Sequence, residues 1–107
     1  MAFKTTYLKQ KTLDHVFGNT AYTAPSTLYI GLYTDTNTPA QHDAGNFTEP
    51  PLTTWTNYAR LAVTNNTTNW TNATSAPVYK KNGTDFVFPA ATITSGTVTV
   101  RGLFVAD

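Results

Sequence analysis

Residues 27–34, with the sequence TLYIGLYT, alternate strictly between two kinds of side chain. The leucines and the isoleucine fall on one face, whereas Tyr29, Gly31 and Tyr33 fall on the other, which is the period-two pattern of a β-strand. Gly31 lies in mid-strand, where a side chain normally packs. This position predicts either a β-bulge or the close approach of another backbone or of an aromatic ring.

The composition extends this prediction to the whole chain. Threonine supplies 23 of the 107 residues, aromatic residues make up 13% and charged residues only 12%, a balance that favours strands and turns over helices. We expect one mostly β domain at residues 1–107, an antiparallel β-sandwich-like module with one N-terminal helix at residues 1–18. The absence of cysteine excludes a disulfide framework and thiolate metal sites.

The first segment is the one convincing helix in the sequence. Thr5 or Thr6 can cap it, Gly18 can end it, and we expect it to lay an apolar stripe on the sheet. The residues at helical spacing are Leu8, Thr12, Leu13, Val16 and Phe17.

Further strands are predicted at residues 58–64 and 97–105, and Asn82-Gly83 predicts a hairpin that joins residues 78–80 to 86–88. Trp70 is expected to fold back onto the core. Because residues 97–105 are strongly apolar and the sequence stops at Asp107, we expect either a truncated chain or an edge matched by a strand of a neighbouring subunit.

Residues 35–57 have no period of either kind, and we interpret them as a long loop without internal structure. Such loops are usually functional or mobile, so this one is the best candidate for a contact element. Tyr29 and Tyr33 form either a contact stripe or a second core face. The candidate contact residues are Tyr29, Tyr33, Phe47, Leu52, Trp55, Val98, Val100 and Phe104, with residues 98–105 as the seam between subunits.

The residues that carry chemistry do not form a catalytic pattern. No two carboxylates lie on one predicted element at a spacing suited to acid/base work, and no serine lies in a nucleophile elbow, so we predict no enzyme and no cofactor. A calcium loop built from Asp35, Asn37 and Asp43 would follow no known ligand order, and we predict no metal site. His42 lies beside Asp43 in this loop, and Arg60 is expected to form an edge or rim salt bridge.

Six Asn-x-Thr triplets would suggest glycosylation in a secreted protein. The N-terminus contains no apolar segment of a signal peptide, and a chain rich in Asn and Thr produces such triplets by composition. We also expect no membrane insertion and, with a net charge of +1 and no basic patch, no nucleic-acid binding.

Four blocks of the sequence are specific enough to compare with a known family: LDHVFGNTAYTAPSTLYIGLYT (13–34), YARLAVTN (58–65), NW (69–70) and FPAATITSGTVTVRGLFVAD (88–107). Together they resemble a widespread family of small structural proteins of tailed-bacteriophage virions, commonly labelled tail fibre or phage structural protein. The resemblance implies a compact, non-enzymatic, β-sandwich-like module in many copies on the particle. It also implies that loop 35–57 is longer than usual and that relatives continue past residue 107.

We therefore predict a structural virion protein, assembled in the cytoplasm of the host bacterium, that binds major capsid or tail proteins and forms a homo-oligomer, with a trimer as the first expectation. The sequence lacks shaft repeats and heptads, which favours a capsid decoration or cement subunit. The alternative is a tail fibre or baseplate module that binds a host receptor or a carbohydrate through Trp55, Trp70 and tyrosines.

Overall fold

The structure of the chain is a computed structural model that describes residues 6–72 and 80–107. This part is mostly strands, in two antiparallel sheets, with one N-terminal helix, as the composition predicted. A sandwich is not confirmed, because the sheets have only three and two strands. The elements are α1 (Thr6–Phe17), β1 (Thr27–Tyr33), α2 (Pro39–Asp43), β2 (Leu61–Thr64), β3 (Trp70–Asn72), β4 (Lys80–Asn82) and β5 (Gly102–Ala106).

β1 is the central strand of the larger sheet, whose order is β2-β1-β5, and it is antiparallel to both neighbours. Directly opposite residues of antiparallel strands share a face, so the alternation in β1 sorts the sheet into two faces. The aromatic face carries Tyr33 and Phe104, and the core lies on the other side, where Ile30 and Val63 are buried. We call that side the aliphatic face; its residues are Leu28, Ile30, Leu32, Leu61, Val63, Leu103 and Val105.

Strand β2 is shorter than the predicted strand at residues 58–64. It begins at Leu61, because the hydroxyl of Tyr58 accepts the N–H of Leu32 at 2.9 Å. That N–H points toward the β2 side of the sheet, where a longer β2 would supply a backbone carbonyl. A side chain therefore replaces one rung of the backbone ladder.

The predicted hairpin from residues 78–80 to 86–88 is wrong. β4 pairs with β3, and residues 86–88 form no strand. The N–H of Gly83 donates to the carbonyl of Asn69 at 2.8 Å, which directs the chain after β4 back toward β3. Trp70 lies half-buried within β3, edge-on to Phe86, rather than in the core. Residues 78 and 79 lie outside the described part.

The C-terminal strand is also shorter than the predicted range 97–105. β5 begins at Gly102, which lies opposite Tyr33, the last residue of β1. Residues before Arg101 therefore have no β1 partner to pair with, although the N–H of Arg101 still donates to the carbonyl of Tyr33. Within the described sheet, β5 is an edge strand.

Helix α1 forms where its sequence predicted, but the expectation that it covers the sheet is wrong. None of its residues is buried. It is tied to α2 by an exposed ion pair between Lys9 Nζ and Asp43 Oδ2 at 2.7 Å. Thr5, one of the two predicted caps, lies outside the described residues. Neither described helix is long and apolar enough to cross a membrane.

The loop at residues 35–57 contains structure, contrary to the prediction. Thr38 caps α2 through a capping box: its hydroxyl accepts the N–H of Gln41, and the side chain of Gln41 accepts the N–H of Thr38 at 2.7 Å. Pro39 occupies the first turn, where its missing N–H costs nothing. The short helix turns the chain back and buries His42.

Candidate functional site

Three of the predicted contact residues meet on the aromatic face of the sheet. Phe47 of the loop stacks on Phe104 of β5, with ring centroids 4.4 Å apart. On its other side Phe47 stacks on His42 at 4.7 Å, and His42 meets the edge of Tyr33 at 4.6 Å. We call Tyr33, His42, Phe47 and Phe104 the aromatic stack. It fixes the loop to the sheet, so these rings are engaged within the chain.

Two glycines make room for the aromatic stack. Gly31 lies opposite Phe104, and Gly102 lies opposite Tyr33. A Cβ atom on Gly31 would clash with Cζ of the Phe104 ring, and one on Gly102 would lie 2.6 Å from Cζ of Tyr33. Of the two alternatives for Gly31, the close approach of a ring is confirmed, since the ladder runs through this position without a bulge.

An ion pair closes one side of the aromatic stack. The guanidinium of Arg60 lies 5.1 Å from the centroid of Phe104 and binds Glu49 through Nε and Nη2, with the Nη2 bond at 2.9 Å. This confirms the predicted salt bridge at Arg60. Hydrogen bonding from Arg60 lowers the pKa of Glu49, so the pair is charged near neutral pH.

Asp35 organises the loop from within. Its Oδ2 accepts the N–H of Thr48 at 2.6 Å, and its Oδ1 accepts the N–H of Asn37 and contacts Nε2 of His42 at 2.7 Å. These hydrogen bonds lower the pKa of Asp35 to about 2, and the bond from the N–H of Thr48 has the largest effect. The carboxylate is thus occupied by the backbone it orders. No cluster of potential metal ligands occurs in residues 6–72 and 80–107.

The hydroxyl of Tyr58 gives a direct test of this network, because it also donates to Glu49 Oε1 at 2.7 Å. We expect Tyr58→Phe to lower the free energy of unfolding by about 1–2 kcal/mol, since it leaves the N–H of Leu32 without a partner. Urea unfolding followed by tryptophan fluorescence measures this. Tyr29→Phe is the matched control, and an equal loss in both variants would contradict the assigned role.

The other five predicted contact residues lie apart from the aromatic stack. Trp55 is buried, meets the edge of Tyr58 and bridges to Ile93. Val98 is half-buried. The remaining three are exposed: Tyr29, Leu52 and Val100.

The sequence did not reveal the structural partners of the site, and two exposed residues of the predicted seam were not among the individual candidates. His42 was considered only beside a calcium loop, and the signal that could have placed it is the Thr38-x-x-Gln41 capping box. Leu103 and Val105, on the aliphatic face of β5, are exposed and fall within the predicted seam 98–105. Their alternation with Gly102 and Phe104 was the available signal.

The model of the family described as podophage GP4 fiber I protein gp80 matches residues 4–107 of the chain. The chain belongs to this family. Membership in the gp80 fibre family confirms the resemblance to phage tail fibre and structural proteins. No curated protein and no solved structure matches the chain.

A protein of the gp80 fibre family is a structural component of the phage virion, and it contacts other virion proteins. The coarse prediction of a phage structural protein is therefore confirmed. The aromatic stack is packed within the chain, whereas α1 and β5 carry exposed apolar side chains.

Proposed function

We propose that this chain is a subunit of a tail fibre of a tailed phage, which acts by protein-protein contact as a homo-oligomer and carries out no catalysis. The description of its family as a fibre protein supports the tail placement. The lack of shaft repeats favours the capsid exterior instead. We give the family description more weight, because a short module can join a fibre whose shaft is built by other chains.

The observation that carries the proposal is the apolar surface left open in the described part of the chain. Three large side chains in the last turns of α1 and two on the aliphatic face of β5 are 49–82% exposed: Leu13, Val16, Phe17, Leu103 and Val105. Exposed apolar patches on a soluble protein mark sites of protein-protein contact, so these are surfaces that assembly would cover.

Two carboxylates beside the aromatic stack support binding rather than catalysis. Asp35 and Glu49 each accept hydrogen bonds from the chain itself, and their lowered pKa values keep them charged. A general acid or base needs a pKa near the working pH and a free approach to its substrate. These carboxylates have the opposite arrangement, typical of structural ion pairs.

Immunogold labelling of intact particles with an antibody to this protein tests the placement. We expect gold on the tail. Gold over the heads would reject the fibre and favour a capsid decoration protein, and unlabelled particles would reject a place on the virion surface. Antibody preabsorbed with the purified chain is the control for non-specific gold.

A further inference from the structure

The last turns of α1 present an apolar patch that its own chain leaves uncovered. Leu13, Val16 and Phe17 follow the i, i+3, i+4 spacing of one helix face, and they are 56%, 63% and 82% exposed. Side chains in this pattern normally lie against another element. We call these three residues the helix patch.

The aliphatic face of the sheet is covered over only part of its width. Ile30 and Val63, on β1 and β2, are buried, whereas Leu103 and Val105 on the edge strand β5 are 62% and 49% exposed. We call Leu103 and Val105 the strand patch. The helix patch on α1 and the strand patch at the β5 edge of the aliphatic face are thus both exposed.

We propose that the helix patch of one copy packs on the strand patch of a neighbouring copy. This inference rests on the proposed function, since it names the contact by which fibre subunits associate. No residue of α1 is buried against its own chain, so the helix patch is open to an adjacent subunit in the described arrangement. The exposed pair Lys9–Asp43 holds α1 to its own chain only weakly.

A second copy is the favoured occupant for both patches. Each chain supplies one helix patch and one strand patch, so a contact between copies covers both kinds of surface at once. Such a contact joins unlike surfaces and repeats from copy to copy, which closes a ring when the rotation between copies allows it. Packing of this kind also removes the exposed side chains of both patches from water, whereas a foreign partner would need to match two separate surfaces.

The absence of cysteine permits a clean cross-linking test in the 107-residue chain. Val16→Cys is placed in one copy and Leu103→Cys in a differently tagged copy, and the two are coexpressed and treated with a short bismaleimide. We expect a mixed covalent dimer in several-fold excess over that formed by Lys11→Cys with Leu103→Cys. Lys11 is the matched control because it lies on the opposite side of α1.

A yield of mixed dimer no higher than with Lys11→Cys would overturn the proposal, and so would cross-linking mainly between two Val16→Cys copies. Phe17→Asp provides a second measurement by light scattering: we expect an oligomer for the parent chain and for Lys11→Asp, on the opposite side of α1, and a single 11.7 kDa chain for Phe17→Asp. A monomeric parent, or an oligomer unaffected by Phe17→Asp, would reject helix exchange. If gold labelled the tail while one of these contradicting results was obtained, the placement in the tail fibre would stand and only the contact between helix patch and strand patch would be rejected.

Discussion

Replacing Gly31 with valine is expected to lower the free energy of unfolding by about 3 kcal/mol, because the new side chain occupies the space of the Phe104 ring. Phe104 must then leave its stacked position on Phe47, and the loop loses its main apolar attachment to the sheet. Urea unfolding at fixed protein concentration measures the loss, since subunit association would otherwise shift the midpoint.

The cause of this loss can be separated from the general intolerance of a buried strand position. Gly31→Ala should be costly in the parent chain and nearly neutral in a Phe104→Ala background, where the ring is absent. Gly45→Ala is the backbone control: no atom lies within 4 Å of its added Cβ, and only its positive φ of 84° opposes it, at about 1 kcal/mol. Strictly additive costs of Gly31→Ala and Phe104→Ala would refute the pairing of Gly31 with the ring.

The central sheet could be predicted wherever a periodic pattern was sustained. The alternation of residues 27–34 correctly placed β1 and its two faces, and the unusual Gly31 correctly indicated the close approach of a ring. Strand lengths were less accessible, because they depend on the partner. β2 begins at Leu61 because the hydroxyl of Tyr58 takes the place of the next backbone hydrogen bond to β1. β5 begins at Gly102 because β1 ends at the opposite residue, Tyr33.

The form of the loop could not be predicted from the sequence. A capping box at Thr38 signalled α2, yet five helical residues without a clear apolar period are easily taken for irregular structure. The association of His42 with Phe47 and Phe104 depends on how α2 is oriented, and nothing in the linear spacing fixes that orientation. Contact residues chosen for their aromatic character, such as Phe47 and Trp55, are packed within the chain.

The error about α1 has a different physical origin. The apolar spacing of Leu13, Val16 and Phe17 is typical of a surface that packs, but sequence alone does not specify whether the partner surface belongs to the same chain. The structure leaves that surface open. A pattern of this kind predicts burial in the final assembly, and in a virion subunit the final assembly contains many chains.

The substitution Asp35→Asn is expected to abolish an acid-induced loss of order in the loop at residues 35–57. Asp35 has a pKa of about 2 in the folded chain against an ordinary 3.8, mainly because its carboxylate accepts the N–H of Thr48. A lowered folded pKa adds stability above the ordinary value and loses it as the pH falls toward the folded one. The parent chain should therefore lose the ordered structure of this loop between about pH 4 and pH 2.

The protection of the Thr48 and Asn37 amide protons against exchange, taken relative to an unstructured peptide at the same pH and followed by NMR from pH 5 to pH 2, measures this step. We expect Asp35→Asn to show little protection already at pH 5 and no further loss on acidification, since a neutral amide replaces the charged acceptor. Glu49→Gln is the matched control, because it removes the other carboxylate with a lowered pKa and should keep the Asp35 step. If Glu49→Gln abolished the step and Asp35→Asn retained it, the ion pair with Arg60 would be the group that holds the loop on the sheet.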